Sequence, residues 1–552
     1  MGLDRGGLEA AGRAIALAAP HPLATAAGME IARQGGNAVD AAVAAAVSLA
    51  VVYPHMCSAG GDAIALVASP DGRVECVNAS GAAGVRADAD ALAREFGGMP
   101  TAGPHTVTVP GAVSAWGALT ERAGRLPFGD LLQPAIAQAR DGVPIAPGVH
   151  RALLEAAERL ALDPGMREVF FCGGAPIGVG EPLRQPALAA TLAELADYGW
   201  RSFYDGPVAR RVASGMVRLG VPLAPVDLAR HAPEITAPLR GRHRDAEILT
   251  APPNSQGLLL LEILAALERL RLGDPLGTGA GALAQLFRLV SRDRERHLAD
   301  PRWAEVPVER LLSDAHAAEL ADAVAGYGGP GGGTTVAGGA ASAPPGRLVV
   351  APSSEAPGGL EAAGDTVAVV AMDAEGHAVS LIQSVFDAFG SGLLDSETGL
   401  ILHNRGALFS LDPAAPNRLE PGKRPAHTLM PVLVRRAGRV VGAHGTMGGK
   451  AQPQIHTHLL LNLDAGRSPA EALAAPRWVV GSLLTEEGVD LVLAERGVPS
   501  PALDSVATAG LGIVTLGELD EEVGHGQLVR RGADGELRAA TDPRADGEAR
   551  AA

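Results

Sequence analysis

The hydrophobic pattern at the amino terminus predicts two helices followed by a small sheet. Apolar residues dominate the run ATAAGMEIARQGGNAVDAAVAAAVSLAVV, from Ala24 to Val52. The letters GGN inside this run are typical of a helix end followed by the N-cap of a new helix. The segment from Ala63 to Ala68 then predicts a strand, and a turn leads into a second short strand through Val77.

Between residues 112 and 325, apolar residues recur at spacings of three and four, as in LLQPAIAQA and LLLLEILAALERL. This period predicts helices, which we expect to form one helical layer. The charged stretch RDRERH, from Arg292 to His297, lies inside this region. Its two acidic residues favour a solvated helix face over a nucleic-acid surface.

A change of composition separates this helical region from a β-rich carboxyl-terminal part. Residues 326–364 are dominated by Gly, Ala, Pro and Ser, which predicts a mobile linker that cannot bury enough apolar area to fold alone. The sequence DTVAVVAMDAEGHAVSLIQS follows at once and predicts two strands joined by a turn at residues 373–376. Order is therefore expected to resume at Thr366.

More strands and a helix are predicted beyond this strand pair. A strand and turn system covers residues 399–410, strands follow at 429–434 and 439–443, and a helix is expected over 459–475. The intervening loop GTMGGKAQPQ does not fit the phosphate-binding pattern, because Lys450 precedes Ala451 instead of Ser or Thr. His456 and His458 are two positions apart, which on a helix directs them to different faces, so no metal site is predicted.

Composition narrows the class of protein. Of 552 residues, 47% are hydrophobic and 20% charged, which is typical of folded globular chains. The formal net charge of -16 and an aromatic content of 3% argue against nucleic acid and anionic membrane as partners. Three cysteines without paired spacing indicate neither disulfides nor a cysteine-rich metal site. No signal peptide or membrane span is recognised, so a cytoplasmic location is expected.

One constellation of residues suggests chemistry. Thr366 follows the linker, Gly448 and Gly449 form a pair, and Ser384 and Thr428 carry hydroxyls. If the bond before Thr366 were cut, that residue would hold both a nucleophilic hydroxyl and an α-amine, whose pKa of about 7.7–8.0 suits a base. Paired glycines let backbone N–H groups approach an oxyanion. The residues alone are equally those of an ordinary strand and turn.

Nine motifs in order along the chain change this picture. On them the chain resembles the gamma-glutamyltranspeptidase family of N-terminal nucleophile hydrolases over nearly its full length, and most closely the branch that contains oxamate amidohydrolase. The motifs are GGNAVDAAVAA (35–45), VVYPHMCSAGGD (51–62), TVTVPGAVSAW (106–116), PPNSQG (252–257), GDTVAVV (364–370), FGSG (389–392), PGKRPAHTLMP (421–431), GTMGGK (445–450) and TDPR (541–544).

The resemblance implies an α+β fold, a four-layer αββα sandwich made by an inactive precursor that cuts itself between Asp365 and Thr366. The large subunit would be residues 1–365, including the linker, and the small subunit residues 366–552, interleaved in one composite domain. The two subunits would be each other's partners, with a homodimer as one open alternative for the assembly. Neither a cofactor nor a metal is expected.

The resemblance also assigns roles residue by residue. Thr366 matches the nucleophile, Ser384 the hydroxyl that supports it, and Gly448 and Gly449 the oxyanion hole. His427 and Thr428 fall where transpeptidases have a substrate-binding serine pair, and both are candidate substrate contacts. For Ser384 and His427, a purely structural role stays open.

Several departures affect the expected substrate. Ser80, also a candidate substrate contact, aligns near the arginine that holds the glutamyl α-carboxylate in transpeptidases. Leu408 and Phe386 replace polar residues that hold the α-amino group. Arg405 is retained and could bind a substrate carboxylate bidentately, and Lys450 could add a second cation; a structural salt bridge is the alternative for each.

The predicted function is a self-processing N-terminal threonine amidohydrolase that uses water to hydrolyse a small carboxylate-bearing amide such as oxamate. The first alternative is a gamma-glutamyl hydrolase or transpeptidase, that is, a glutathione hydrolase. The second is a catalytically inactive binding or scaffold homologue, because the glycine loop continues with Lys450 and Ala451 where the oxamate-like branch generally has Asp-Gly.

Overall fold

The computed structural model describes residues 7–327, 365–481 and 490–552. Its α-helices are α1 Pro22–Arg33, α2 Ala38–Val52, α3 Ala89–Phe96, α4 Ala112–Ala123, α5 Phe128–Asp141, α6 Pro147–Glu155, α7 Ala157–Leu160, α8 Pro164–Phe170, α9 Pro186–Tyr198, α10 Pro207–Arg218, α11 Pro225–Ala229, α12 Gly257–Leu270, α13 Ala280–His297, α14 Val308–Leu311, α15 Asp314–Tyr327, α16 Gln452–Asp464, α17 Pro469–Ala474 and α18 Ser500–Thr508. Short 3₁₀ turns lie at Pro104–Thr106, Trp200–Phe203, Arg405–Leu408, Gly449–Ala451 and Glu521–Val523.

The strands are β1 Glu9–Gly12, β2 Ile15–Ala19, β3 Asp62–Ala68, β4 Val74–Asn78, β5 Val143–Pro144, β6 Phe171–Cys172, β7 Ala175–Pro176, β8 Pro182–Leu183, β9 Glu234–Thr236, β10 Leu239–His243, β11 Ala246–Thr250, β12 Asp365–Asp373, β13 Ala378–Phe386, β14 Leu394–Asp395, β15 Leu400–Ile401, β16 Val432–Arg436, β17 Arg439–Thr446, β18 Trp478–Val480, β19 Leu491–Ala494, β20 Gly512–Thr515, β21 Gly526–Arg531, β22 Leu537–Thr541 and β23 Glu548–Ala551.

Two seven-stranded sheets form the centre of the molecule. The first has the strand order β1-β22-β21-β17-β16-β11-β10, and the second the order β23-β2-β12-β13-β3-β4-β9. Apolar side chains from both sheets, such as Ile64, Ala368, Leu433 and Val529, form the core between them. Each sheet therefore contains strands from both sides of residue 365.

Helices cover the outer face of each sheet. Helices α1, α2, α4, α5 and α9 pack in the core beside the second sheet, and α12, α13, α15 and α18 form a separate core on the side of the first. The result is a four-layer αββα sandwich, as expected. The prediction of one helical layer for residues 112–325 is wrong: its helices divide between both outer layers, and β9, β10 and β11 from the same region join the two sheets.

The predicted break between the first two helices is confirmed. Asn37 caps α2 by accepting from the backbone N–H groups of Val39 and Asp40, and Asp40 accepts in return from the N–H of Asn37. This capping box satisfies donors that a helix start leaves without partners. All fifteen residues of α2 are buried, and its many alanines allow the helix to lie close to its neighbours.

Other local predictions hold in part. The strand pair β12 and β13 is confirmed. The prediction that His456 and His458 point to different faces of a helix is also confirmed, because His456 stacks on His444 and His458 packs edge-on against Trp478. The helix predicted over 459–475 is two helices, α16 and α17, because Ser468 starts a new capping box. The predicted linker lies outside the described residues, apart from two residues at the end of α15.

The charged stretch RDRERH and the three cysteines were also interpreted from the sequence. The RDRERH stretch is helical, but its second and third residues, Asp293 and Arg294, are buried. The prediction of a solvated helix face is therefore only partly correct. The three cysteines form no disulfide; Cys57 and Cys76 are buried and Cys172 is exposed. No helix among the described residues has both the length and the apolar character that crossing a membrane requires.

The TDPR motif belongs to a buried ion network at the carboxyl terminus. Arg544 donates to Glu495 at 2.7 and 2.5 Å and to Asp542 at 2.9 Å, while Arg477 donates to Asp542 at 3.0 Å. These side chains are at most 3% exposed. Removing one partner from such a network leaves a buried charge without compensation.

We predict that Arg544→Met destabilises the protein by about 3–5 kcal/mol, the usual cost of breaking a buried ion pair. Chemical denaturation measures the change. The control is Arg538→Met, because Arg538 pairs with Glu536 but its side chain is 51% exposed; its expected effect is under about 1 kcal/mol. Equal effects of the two substitutions would contradict the prediction.

Buried histidines predict a second property, instability in acid. Burial lowers the pKa of a histidine by penalising the charged ring. It lowers the pKa from 6.5 to about 4 at His21, His231, His427 and His525, and to about 3 at His55, His456 and His458. Between pH 6.5 and about 4 the unfolded chain therefore binds protons that the folded chain does not.

The free energy of unfolding should consequently fall as the pH is lowered through this window, by about 1.4 kcal/mol per pH unit for each such histidine. Thermal denaturation between pH 7.5 and 4.5 measures the slope. His456→Leu removes one proton-binding group and should make the slope shallower by about that amount. A stability that is constant over this pH range would contradict the assignment of neutral buried histidines.

Candidate active site

Two adjacent strands orient the side chain of Thr366. Thr366 lies near the start of β12 and faces Ser384 of β13 across the sheet, and its Oγ1 donates to Ser384 Oγ at 3.2 Å. The pairing register shifts between Asp365 and Thr366. Ser384 Oγ also accepts from the backbone N–H of Phe386 at 2.7 Å. The Thr366 side chain is thus held in one direction at the point where the chain enters the sheet.

A buried carboxylate lies on the next strand. Asp62 begins β3 and pairs with Ser384 in the strand register. It accepts from Arg405 Nε at 2.9 Å, from Arg405 Nη2 at 3.1 Å and from His427 Nε2 at 2.8 Å. Burial alone would raise the pKa of Asp62, but the positive charge of Arg405 and the hydrogen bond from His427 outweigh it and hold that pKa well below its ordinary value.

Arg405 is fully buried, and the two donors on one edge of its guanidinium, Nε and Nη2, are both bonded to Asp62. Besides the two bonds to Asp62, its Nη1 donates to Thr428 Oγ1 at 2.9 Å, and its guanidinium carbon lies 4.7 Å from the ring centroid of Phe386. Asp62 already takes the Nε and Nη2 donors, so a bidentate contact of Arg405 with a substrate carboxylate is unsupported by this arrangement and stays a prediction. The salt bridge that the sequence left open is the arrangement observed.

The two histidines around Asp62 have defined hydrogen-bonding roles. Nδ1 of His427 accepts from the backbone N–H of Leu429, which leaves the proton on Nε2 to donate to Asp62. His403 is bonded through Nε2 to the carbonyl of Thr108 at 2.9 Å, and its Nδ1 lies 3.7 Å from Asp62. Burial lowers the pKa of both rings, that of His427 to about 4, so both are neutral near pH 7.

The glycine pair forms a tight loop after β17. Gly448 and Gly449 have φ values of +146° and +47°, and a Cβ on Gly448 would lie 2.2 Å from Ile455 Cδ1. A side chain is excluded there on both grounds. Among the described residues, no protein group accepts from the backbone N–H of either glycine. Both N–H groups therefore lack a protein acceptor in the described part of the chain, and both glycines are buried.

Gln256 ties this loop to the residues around Asp62. Its Nε2 donates to the carbonyl of Thr428 at 2.7 Å and to that of Gly449 at 2.8 Å. Two carbonyl acceptors on the same atom identify it as the amide nitrogen. The other atom, Oε1, is buried and has no hydrogen-bond partner in the described part of the chain.

A small cavity opens between these elements. Its volume is about 70 Å³, room for a few waters or a small ligand. Its walls consist of Gln256, Arg294, Glu295, Leu298, Leu408, Asn417, Ala426, His427, Thr428 and Lys450. Thr366 is not among them; it is 2% exposed and connects to the wall through Ser384, Asp62 and Arg405.

The predicted site residues thus divide into groups. Arg405 and His427 bond to Asp62, and Ser384 pairs with it in the strand register. Thr366 joins this cluster through Ser384, and Thr428 joins it through Arg405. Gln256 links Gly449 to Thr428. Lys450 lies on the cavity wall, with Nζ 3.5 Å from Glu295.

Ser80 lies in a neutral network away from the cavity wall. Its Oγ donates to Asn78 Oδ1 at 2.6 Å, and Asn254 Nδ2 donates to Ser80 Oγ at 3.2 Å. The backbone carbonyl of Asn254 accepts from the N–H of His427. No cation takes part in these bonds, and the role of Ser80 in substrate binding stays a prediction.

Sequence reasoning assigned no role to Asp62 or Gln256. Both lie in motifs that support the resemblance, Asp62 at the end of VVYPHMCSAGGD and Gln256 in PPNSQG. An acidic residue directly after two glycines and before a buried strand is a weak signal of a buried carboxylate. The partner of Asp62, Arg405, is 343 positions away, so the spacing of residues could not reveal the pair.

Comparisons with known proteins identify the family. The family model described as gamma-glutamyltranspeptidase matches residues 24–552. An oxamate amidohydrolase proenzyme from Klebsiella pneumoniae subsp. pneumoniae is 37% identical over 96% of this chain and 97% of its own. The glutathione hydrolase-like YwrD proenzyme of Bacillus subtilis is 34% identical, with 96% and 97% covered.

The fold has a close match among solved structures. The crystal structure of cephalosporin acylase from Bacillus halodurans superposes with a TM-score of 0.86 at 30% identity, covering 99% of this chain and 97% of that one. The sequence match, the near-complete coverage and the αββα sandwich lead to one conclusion. The chain belongs to the gamma-glutamyltranspeptidase family, as an amide hydrolase with the N-terminal nucleophile hydrolase fold.

Proposed function

We propose that this protein is a self-processing N-terminal threonine amidohydrolase that acts on a small amide bearing a carboxylate, with oxamate as the leading example. The observation that carries the proposal is the placement of the Thr366 hydroxyl, bonded to Ser384 beside the cluster around Asp62. The 37% identity to an oxamate amidohydrolase proenzyme supports the choice of substrate.

Processing would begin at the peptide bond between Asp365 and Thr366. Thr366 Oγ1 attacks the carbonyl carbon of residue 365, the C–N bond breaks, and the released nitrogen takes the hydroxyl proton. Water then hydrolyses the resulting ester, which leaves a carboxylate on residue 365 and restores the hydroxyl. The product is a threonine that carries a free amine and a free hydroxyl on one residue.

In turnover, Thr366 Oγ1 attacks the amide carbon of the substrate and its proton passes to the α-amine. The N–H groups of Gly448 and Gly449 supply donors for the tetrahedral oxyanion, each worth about 3–4 kcal/mol of barrier in comparable sites. The α-amine returns the proton to the leaving nitrogen, so ammonia departs from a primary amide. Water then hydrolyses the acyl ester and releases the acid; from oxamate this acid is oxalate.

The cavity supports a small, negatively charged substrate. Lys450 lies on its wall and can approach a carboxylate, whereas the bidentate edge of Arg405 is committed to Asp62. The unpartnered Oε1 of Gln256 offers an acceptor for a substrate N–H. The volume of about 70 Å³ favours a compact molecule over a peptide.

A gamma-glutamyl amide is the less favoured substrate. Leu408 lines the cavity where transpeptidases place an acidic residue, and Phe386 is stacked on Arg405. A glutamyl ammonium group beside Leu408 would lose charge-assisted hydrogen bonds worth about 1.5–3 kcal/mol each. Glutathione hydrolysis therefore remains the alternative that a substrate panel must test.

The arrangement of strands supports subunits that stay together after cleavage. In the second sheet, β12 and β13 lie between β2 and β3, and in the first sheet β16 lies beside β11. Each of these contacts joins strands from opposite sides of residue 365. Cutting one peptide bond would leave all of these ladders intact.

The first experiment replaces the proposed nucleophile. Wild-type protein is expected to separate in denaturing electrophoresis into chains of 365 and 187 residues, the two parts of the 552-residue precursor. Thr366→Ala lacks the attacking hydroxyl, so it should remain one chain and release no ammonia from oxamate. Mass spectrometry of both proteins measures the result.

Thr366→Ser, which keeps a hydroxyl, should process and turn over more slowly than wild type. Thr508→Ala, at an exposed position of α18, should process normally. Two chains from Thr366→Ala would rule out the nucleophile. A single wild-type chain after prolonged incubation would instead indicate the inactive scaffold homologue.

The second experiment tests Lys450 as the carboxylate contact. Lys450→Met should raise KM for oxamate about tenfold or more, because it removes a charge-assisted hydrogen bond, and should leave KM for a neutral amide of similar size nearly unchanged. Lys450→Arg retains the positive charge and should recover much of the affinity. An unchanged KM for oxamate in Lys450→Met would assign Lys450 to its ion pair with Glu295 instead.

A further inference from the structure

Three helices of one outer layer bring a second group of titratable side chains together, apart from the cluster around Asp62. Glu262 of α12, Asp293 of α13 and His316 of α15 are all buried. His316 Nε2 lies 3.2 Å from Asp293 Oδ2 and 3.7 Å from Glu262 Oε2. One ligand atom from each residue lies within 4.8 Å of the other two.

The Glu262 side chain lacks the partners that a buried carboxylate needs. It is 1% exposed, and neither of its oxygens has a hydrogen-bond partner among the described residues. A buried carboxylate without donors is costly, so such groups are ordinarily paired or bound to metal. Its Oε2 is directed toward the same point as His316 Nε2 and Asp293 Oδ2.

The second ring nitrogen of His316, Nδ1, lies close to a carboxylate. Nδ1 lies 3.5 Å from Glu319 Oε2, one turn further along α15. Histidines that bind a metal through one nitrogen commonly donate their other N–H to a carboxylate, which fixes the tautomer and the direction of the ring. His316 Nδ1 has no hydrogen-bond partner among the described residues, so Glu319 would take this orienting role once the metal is bound.

The donor set also suits a cation. In the metal-bound state, with both carboxylates ionised and the imidazole neutral, the three side chains would supply two negative charges, which a divalent ion would neutralise. The nearby Arg310 does not fill this place, since its Nη2 is bonded to His297 Nε2 at 3.0 Å. A mixed set of one imidazole and two carboxylates suits Zn²⁺ or Mn²⁺, whereas Ca²⁺ and Mg²⁺ prefer oxygen ligands.

We propose that Glu262, Asp293 and His316 bind a divalent transition-metal ion of the Zn²⁺ or Mn²⁺ class, with water completing its coordination. The ion would connect α12, α13 and α15. Asp293 is followed by Arg294, which donates to the carbonyl of Lys450 on the cavity wall. Binding would therefore hold the end of α13 against the loop that carries the glycine pair.

The test uses the full-length protein after removal of metals with EDTA. We expect isothermal titration to show about one equivalent of Zn²⁺ or Mn²⁺ per chain, and Tm to rise when either ion is added, because an ion that binds only the folded state stabilises it. Ca²⁺ at the same concentration should give no comparable rise. Absence of binding by both Zn²⁺ and Mn²⁺ would overturn the proposal.

Two variants separate this site from other metal contacts, such as the exposed Cys172. Glu262→Gln keeps the shape of the ligand and should weaken binding by about tenfold or more. Glu319→Gln changes a side chain that is 74% exposed, so folding should be unaffected, yet affinity should fall by about ten- to a hundredfold. Glu309→Gln, an exposed acid on α14, should bind as wild type does.

Wild-type affinity in both Glu262→Gln and Glu319→Gln would show that the ion binds elsewhere, and the proposal would be wrong. In that case the group is a metal-free cluster in which a proton on His316 is shared with Asp293 and Glu262. These outcomes do not depend on turnover, so they stay distinct from failure of the proposed threonine chemistry.

Discussion

The site depends on the burial of one carboxylate, Asp62. A buried negative charge is stable only when donors surround it, and Arg405 and His427 supply three hydrogen bonds to its two oxygens. Arg405 lies in a 3₁₀ turn and His427 in the segment before β16. Their bonds to Asp62 therefore fix two distant parts of the chain against β3. Thr428, held by Arg405, then sets the position of the cavity wall. Loss of the bonds to Asp62 would therefore also disturb β13, the strand that carries Ser384 and pairs with β3.

The same constraint explains how the site departs from the substrate chemistry of transpeptidases. Arg405 is bonded to Asp62 and stacked on Phe386, so its positive charge stabilises the buried carboxylate. The cations that line the cavity are Arg294 and Lys450. In the proposed function, carboxylate recognition therefore falls to Lys450, on the loop beside the glycine pair. With Leu408 at one side of the cavity and Lys450 at another, that proposal favours a short anionic amide over one bearing an ammonium group.

Close approach of the two sheets supports this arrangement. A Cβ on Gly445 of β17 would lie 2.6 Å from the Cβ of Ala368 on β12, so the sheets meet where one side chain is absent and the other is small. Ser380 Oγ of β13 donates to the carbonyl of His444 across the same interface. These contacts place β17, which leads into the glycine loop, over β12, which carries Thr366.

Local sequence determined the elements whose causes lie within a few residues. The GGN break and its Asn37 cap, the β12 and β13 pair, and the divergent faces of His456 and His458 all follow from short-range hydrogen bonds and periodicity. The motifs in order also indicated the sandwich and the cluster of site residues. Only the tertiary structure decided that helices from one continuous stretch divide between two layers, that Asp62 takes the bidentate edge of Arg405, and that three helices converge at Glu262. The reason is physical: the spacing of apolar residues is a local property, whereas a buried charge depends on its partners, and here the partners of Asp62 lie as far as 365 positions away along the chain.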